Sequence, residues 1–162
     1  MNSTKKILAP TDLSDLSRVG VRRALEIAAT QKAEVFVYYI VGNEEATPYY
    51  GLFHDELSTA EDFRPITEFV EESRRDLAKF LRENFADLIP QVKIHAEVEL
   101  GLPYKKIVEK AAENGVDMIV MSTHGRTGLL HMLIGSVTEK VVRLASCPVL
   151  SIHPPGEAKS PK

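Results

Sequence analysis

Apolar residues gather in short unbroken runs, separated by longer stretches in which they return every three or four positions; this predicts strands alternating with helices. Lys5 to Ala9 is a short apolar strand, ended in a turn by Pro10-Thr11-Asp12. From Ser14 to about Gln31, Leu16, Val19, Ala24, Leu25 and Ala28 repeat at helical spacing, with Asp12 or Ser14 available as the N-cap. Glu34 to Val41 is β-branched and aromatic over a strand's length. Ile66 to Phe85 sets Phe69, Val70, Leu77, Phe80, Leu81 and Phe85 on one face of a long amphipathic helix. Val92 to Leu100 alternates apolar and polar residues, the period of a half-buried strand suited to a sheet edge. Gly101 and Pro103 open a helix bearing Ile107, Val108, Ala111 and Ala112, and Gly115 stands where a left-handed C-terminal cap is wanted. A strand from Asp117 to Met121, a helix from Ser136 to Ser146 carrying Val137, Val141, Leu144 and Ala145, and a last strand from Pro148 to Ile152 complete the pattern. Gly42 to Pro65 shows no period and reads as a long loop with short helical pieces, in which Tyr49, Tyr50 and Phe53 lid a pocket, meet a partner or pack locally. Residues 154–162, rich in proline, read as a disordered tail.

Strands and helices in alternation build an α/β domain whose parallel sheet carries helices on both faces. Ile7-Leu8-Ala9 and Met118 to Met121 lack the two-residue period, which marks them as strands covered on both sides and therefore central. If they are neighbours, the loops after them meet at the switch point of the sheet, where open α/β folds take ligands. At 162 residues the chain has the length of one domain. Its 44% hydrophobic and 27% charged residues are globular values. The net charge of -3 offers no positive field for DNA or RNA. Ile7-Leu8-Ala9 is too short for a signal-peptide core, and no apolar run reaches the roughly 20 residues of a spanning helix, so neither export nor membrane insertion is expected. One cysteine, Cys147, excludes an internal disulfide and suits the reducing cytoplasm.

The candidate chemistry lies between Ser122 and Thr138, where a central strand ends and a helix begins. Small residues around Gly125 let the backbone approach an anion and adopt unusual dihedrals that turn several N–H groups toward it. Gly135-Ser136-Val137-Thr138 adds the unpaired amides and positive dipole end of a helix start. Plainer readings stand beside these. Ser136 with Glu139 forms a capping box, and Asp12 is explained equally well as a cap. Arg126 suits a phosphate, yet is also an ordinary loop arginine. His124 and His131 have no nearby carboxylate or cysteine ligand, so no protein-held metal is expected. The chain has no Gly-x-Ser-x-Gly elbow, P-loop or Gly-x-Gly-x-x-Gly, and Cys147 before Pro148 reads as a structural thiol, so no catalytic residue is assigned.

The segment resembles the ATP-binding branch of the universal stress protein family, whose pattern is Gly, two residues, Gly, nine residues, then Gly and Ser or Thr. Gly125 and Gly135-Ser136 match with nine residues between them, and Ser122 takes the place of the leading Gly. Pro10-Thr11-Asp12, Gly101-Leu102-Pro103 and Cys147-Pro148-Val149-Leu150 are similar to the family's strand ends and turns. The resemblance implies one domain over residues 1–153 and a five-stranded parallel sheet in the order 3-2-1-4-5. It implies ATP, or ADP or AMP, with adenine near Asp12 and Val41, and ribose and phosphates along Ser122, Gly125, Gly135, Ser136 and Val137. Pro10, Thr11, Met121, His124, Arg126, Gly128 and Thr138 complete the implied site. Magnesium would arrive with the nucleotide. Serine resists the positive φ that glycine accepts, so Ser122 is the departure that bears on binding strength, with nucleotide binding itself expected to be retained. The implied function is a homodimeric regulator, paired through Pro148 to Ile152 and read by a partner protein, with little or no hydrolysis. A slow ATPase or nucleotidyl-transfer enzyme, and a nucleotide-free interaction module with a decayed site, are the alternatives.

Overall fold

The computed structural model describes residues 4–42, 65–126 and 134–155. Most of the long loop after Gly42, with Tyr49, Tyr50 and Phe53, lies outside them, as do His131 and residues 156–162 of the expected tail. In chain order the elements are β1 Lys6–Thr11, α1 Asp15–Gln31, β2 Glu34–Val41, α2 Ile66–Phe85, a 3-10 turn Ile89–Gln91, β3 Lys93–Leu100, α3 Pro103–Glu113, β4 Met118–Ser122, α4 Ser136–Leu144 and β5 Val149–Ile152. The strands form one parallel sheet in the order β3-β2-β1-β4-β5, as the resemblance implies.

Alternation along the strands sorts the core onto two faces. Ile7, Ala9, Val35, Val37, Tyr39, Val41 and Val120 pack toward α1 and α2 with Leu25, Leu77 and Phe85. Leu8, Tyr38, Ile40, Ile119 and Met121 pack toward α3 and α4 with Ile107 and Val141. Ser14 caps α1, its hydroxyl accepting from Ser17 N–H at 3.1 Å. Gly115, at φ 58, follows α3 in the left-handed conformation, and Val116 N–H reaches back to Ala111 C=O at 3.0 Å. β3 is an edge strand whose Glu97 and Glu99 pair with Lys110.

The buried stripe of α1 is rotated from the one the spacing suggests. Ser17, Gly20, Val21, Ala24, Leu25 and Ala28 are buried, whereas Leu16 and Val19 are only half-buried. Gly20 is the cause: a Cβ there would lie 2.6 Å from Ser122 N and 2.8 Å from Met121 C, so the helix backbone rests directly on β4.

β1 runs on through Pro10 and Thr11, which were expected to turn. Its ladder with β2 continues to Thr11↔Tyr39, but its ladder with β4 consists of Ile7↔Met118 and Leu8↔Ile119. Pro10 has no N–H to donate, yet the β2 ladder runs past it. The central strands therefore stop pairing halfway along β1, and a crevice begins there.

Below that point Asp117 closes the opposite end of the sheet, its Oδ2 accepting from Lys5 N–H at 2.8 Å and Lys6 N–H at 2.9 Å. These two amides hold its carboxyl below the usual carboxylate range. A carboxyl lowered in the fold stabilises it above the unfolded value, and that contribution disappears as pH falls through the folded value. Asp117 is exposed. Asp117→Ala should therefore cost no more than about 1 kcal/mol at neutral pH. The deficit should shrink as pH falls below about 4. Urea midpoints at pH 7 and pH 3 check this; an equal deficit at both would contradict it.

Candidate functional site

The crevice is a cavity of about 260 Å³ over the carboxyl ends of β1, β2 and β4. Among the sequence-derived site residues, Pro10, Thr11, Asp12, Met121, Ser122, His124, Gly125, Arg126, Gly135, Ser136, Val137 and Thr138 line it. Gly128 lies outside the described residues. Val41 is not part of the lining. Its side chain is fully buried on the α1 and α2 face, and its carbonyl accepts from Gly101 N–H at 3.0 Å. The cavity instead meets Ile40 and Gly42, whose parity points the other way along β2.

Ser17, Pro103 and Ile107 also line the cavity and are not among the site residues expected from the sequence. A signal for two of them was present. Pro103 opens α3 just after an edge strand, and Ile107, one helical turn later, shares its face. Ile40, Ile107 and Met121 belong to the same apolar cluster, which gives the cavity an oily wall.

The polar wall comes from two segments. Gly135 is the N-cap of α4, extended at φ -67 and ψ 152, and Ser136 is the first helical residue. The expected capping box is therefore absent: no side chain caps this helix, and Glu139 instead faces Arg143 at 3.4 Å. The reason is a tether one residue earlier, where Gly135 N–H donates to Thr123 C=O at 2.7 Å. An α-helix leaves its first amides without intrahelical acceptors. Here those are the amides of Ser136, Val137 and Thr138, all three of which line the cavity. The Thr138 hydroxyl donates to Ser122 C=O at 3.0 Å and holds the helix start against the end of β4.

Around Gly125 the arrangement departs from expectation. Among the described glycines only Gly101 and Gly115 have positive φ, so neither Gly125 nor Gly135 is needed for an unusual dihedral. Close approach explains them. A Cβ on Gly125 would meet Asp12 Oδ2 at 2.3 Å, and one on Gly135 would meet Thr123 O at 3.1 Å. The Asp12 carboxylate sits on the turn, accepting Arg126 N–H at 2.5 Å through Oδ2 and Ser14 N–H at 3.0 Å through Oδ1. An amide expected to meet a ligand anion is thus engaged by the chain's own carboxylate.

Ser122 ends β4 with its hydroxyl donating to His124 C=O at 2.5 Å, and it has no positive φ. Serine therefore fits this position without the backbone strain that a positive φ would have brought. His124 is buried, with Nδ1 3.0 Å from Thr123 Oγ1, and His153 Nδ1 lies 3.2 Å from the same hydroxyl. No cluster of metal-binding side chains occurs among the described residues. Cys147 is half-buried, and burial pushes its thiol up, which suits a structural thiol rather than a reactive one.

A parallel doubly wound sheet with a lined crevice at its switch point places the protein among the α/β domains that take ligands at the carboxyl ends of their strands. A profile of the Universal stress protein family matches residues 3–153, and the chain belongs to that family. It is 37% identical over 154 residues to universal stress protein MJ0531 of Methanocaldococcus jannaschii, covering 95% of this chain and 85% of the relative. It is 31% identical to MJ0577 of the same organism, over 91% of this chain and 94% of that one. The solved MJ0577 structure superposes with a TM-score of 0.75 at 28% identity, over 96% of this chain and 99% of that one. A universal stress protein solved in complex with cAMP shares the fold, with a TM-score of 0.64 at 23% identity over 94% and 98% of the two chains. No helix among the described residues is long and apolar enough to cross a membrane.

Proposed function

We propose that this protein binds an adenine nucleotide, ATP or else ADP or AMP, in the switch-point crevice and works in the cytoplasm as a homodimeric regulator. The observation that carries the reading is the uncapped start of α4: Ser136, Val137 and Thr138, whose amides have no intrahelical acceptor, line a cavity whose other wall is apolar, at the positive end of the helix dipole. Such a donor set fits phosphate oxygens, and Gly135 leaves room for them. Ile40, Ile107 and Met121 would receive the base, and Ser136, Val137 and Thr138 the phosphates. The solved cAMP complex belongs to another protein of this fold, and its ligand is of the proposed class.

Little or no turnover is expected. Transfer of a phosphoryl group needs its spreading negative charge neutralised. Among the described lining residues there is no lysine, and the single arginine, Arg126, is bonded to Asp12 and Tyr39. Magnesium would accompany the nucleotide. Occupancy alone then does the regulating, by favouring one conformational state that a partner protein reads.

The homodimer is proposed to form through the stretch Pro148 to Ile152. β5 is a sheet edge, and Leu150 is exposed there. Val142 and Leu144, exposed on α4, add apolar surface. Pairing with a second copy would cover the edge.

Calorimetric titration with ATP, ADP and AMP tests the nucleotide reading. One saturable site, with ATP recovered intact after many hours with magnesium, is the expected result. Rapid conversion of the nucleotide would favour an enzyme, and no heat with any of the three would favour a nucleotide-free interaction module.

A further inference from the structure

Beyond Leu8↔Ile119 the two central strands are no longer held by backbone pairing, so the width of the crevice depends on other ties. On the α4 side the ties are Gly135 N–H to Thr123 C=O and the Thr138 hydroxyl to Ser122 C=O. On the β1 side the ties come from Arg126. Its amide donates to Asp12 Oδ2 at 2.5 Å, and its Nε donates to the Asp12 carbonyl at 2.8 Å. Its Nη2 donates to the Tyr39 hydroxyl at 2.9 Å, with the guanidinium carbon 5.8 Å from the centre of that ring.

Tyr39 is suited to hold an arginine still. It is 6% exposed, packed among the residues under α1 and α2, and pairs with Thr11 in the sheet. Its ring is fixed by that packing, and its hydroxyl is left to accept from Arg126. Arg126, by contrast, is exposed, and an exposed arginine samples many rotamers unless something fixes it.

We propose that Tyr39 and Arg126 form a brace that positions the glycine-rich turn for the nucleotide, neither residue needing to touch it. The proposal rests on the nucleotide reading above. Tyr39 fixes the guanidinium, the guanidinium fixes the backbone of Asp12, and the Asp12 carboxylate occupies the space that any side chain at Gly125 would take. A slip anywhere along this line moves Gly125 against the cavity it lines. The brace has an electrostatic consequence as well. Asp12 would repel a phosphate, and the cation bonded to the same residue offsets that repulsion.

The test is a double-mutant cycle on the full chain, with ATP affinity read by calorimetry and the unfolding midpoint read in parallel. Tyr39→Phe should weaken ATP about 3- to 10-fold, the usual range for one hydrogen bond, and Arg126→Ala more than about 10-fold, the range for losing bonds to a charged group. Arg126→Lys, which keeps the charge but loses the fork, should fall between wild type and Arg126→Ala. In the Arg126→Ala background, Tyr39→Phe should have no further effect, because the brace is already gone. Adenosine, lacking phosphates, should lose less affinity than ATP on Arg126→Ala.

ATP affinity within twofold of wild type in Tyr39→Phe overturns the brace, as do additive losses in the double variant. A lowered midpoint with unchanged affinity also overturns it, since that leaves a purely structural contact. Failure of the nucleotide reading shows separately, as a wild-type chain that binds no ATP.

Discussion

Gly135→Val is expected to lower ATP affinity by at least about 100-fold, an equilibrium loss near 3 kcal/mol, while leaving the far-ultraviolet circular dichroism of the chain unchanged. A Cβ at this position would stand 3.1 Å from Thr123 O and 3.8 Å from His124 Cα, both backbone atoms that cannot swing aside. The branched methyls would then crowd the helix start, where Ser136 and Val137 line the cavity. Separation of the helix start from Thr123 would also stretch the 2.7 Å bond between them. The fold itself should survive, because Gly135 is only half-buried and precedes α4 rather than lying inside a core element. Calorimetry and circular dichroism on the same preparation check the result. Wild-type affinity in this variant would show that the helix start does not hold the ligand.

The largest effect on stability is expected from Gly20→Val. All three nearest atoms to a Cβ there are backbone: Ser122 N at 2.6 Å, Met121 C at 2.8 Å and Met121 Cα at 2.9 Å. β4 is a central strand paired on both sides, so it cannot yield, and α1 must lift from the sheet instead. Overpacking of a rigid core typically costs about 1 to 3 kcal/mol. Contact with backbone on every side puts Gly20→Val at the top of that range, roughly 3 kcal/mol. Gly20→Ala recovers about 1 kcal/mol of helix propensity and should lose less. Urea denaturation of the three chains gives the comparison. Nucleotide binding should weaken too, since Ser122 is both the residue pressed by Gly20 and part of the crevice. An unchanged midpoint for Gly20→Val would mean that α1 does not rest on β4 as described.

Elements with a strong local period were legible in the sequence. β2 and α2 have the expected bounds, Glu34–Val41 and Ile66–Phe85, because a β-branched run and a three-and-four apolar spacing each determine one conformation. The parallel order followed from the alternation of strands and helices together with the family pattern. The burial of α1 was less legible. Its apolar residues suggest one stripe, but the closest contact is made by a residue without a side chain, which a hydrophobic pattern cannot register. The same limit applies to β1, whose length is set by pairing with β2 at Thr11↔Tyr39, far away in the sequence.

At the candidate site, the residue types were legible but not their partners. Gly125 and Gly135 stand out as glycines, yet the reason for each is a neighbour from another segment, Asp12 in one case and Thr123 in the other. Ser136 and Glu139 satisfy the spacing of a capping box, but the tether at Gly135 sets the helix start so that Ser136 is already inside it. Val41 was one residue away from the strand positions that meet the cavity, and on a strand one residue reverses the face. Tyr39 gave no sign at all, being one aromatic in an apolar run.

The central claim is that the amides at the start of α4 hold the nucleotide's phosphates. Titration of the 15N-labelled chain with ATP, followed through its amide resonances, tests it most directly. The account predicts that Ser136 and Val137 shift strongly and saturably, and that adenosine moves them far less. Saturable binding that leaves those two resonances in place, or moves them equally with adenosine, would contradict it.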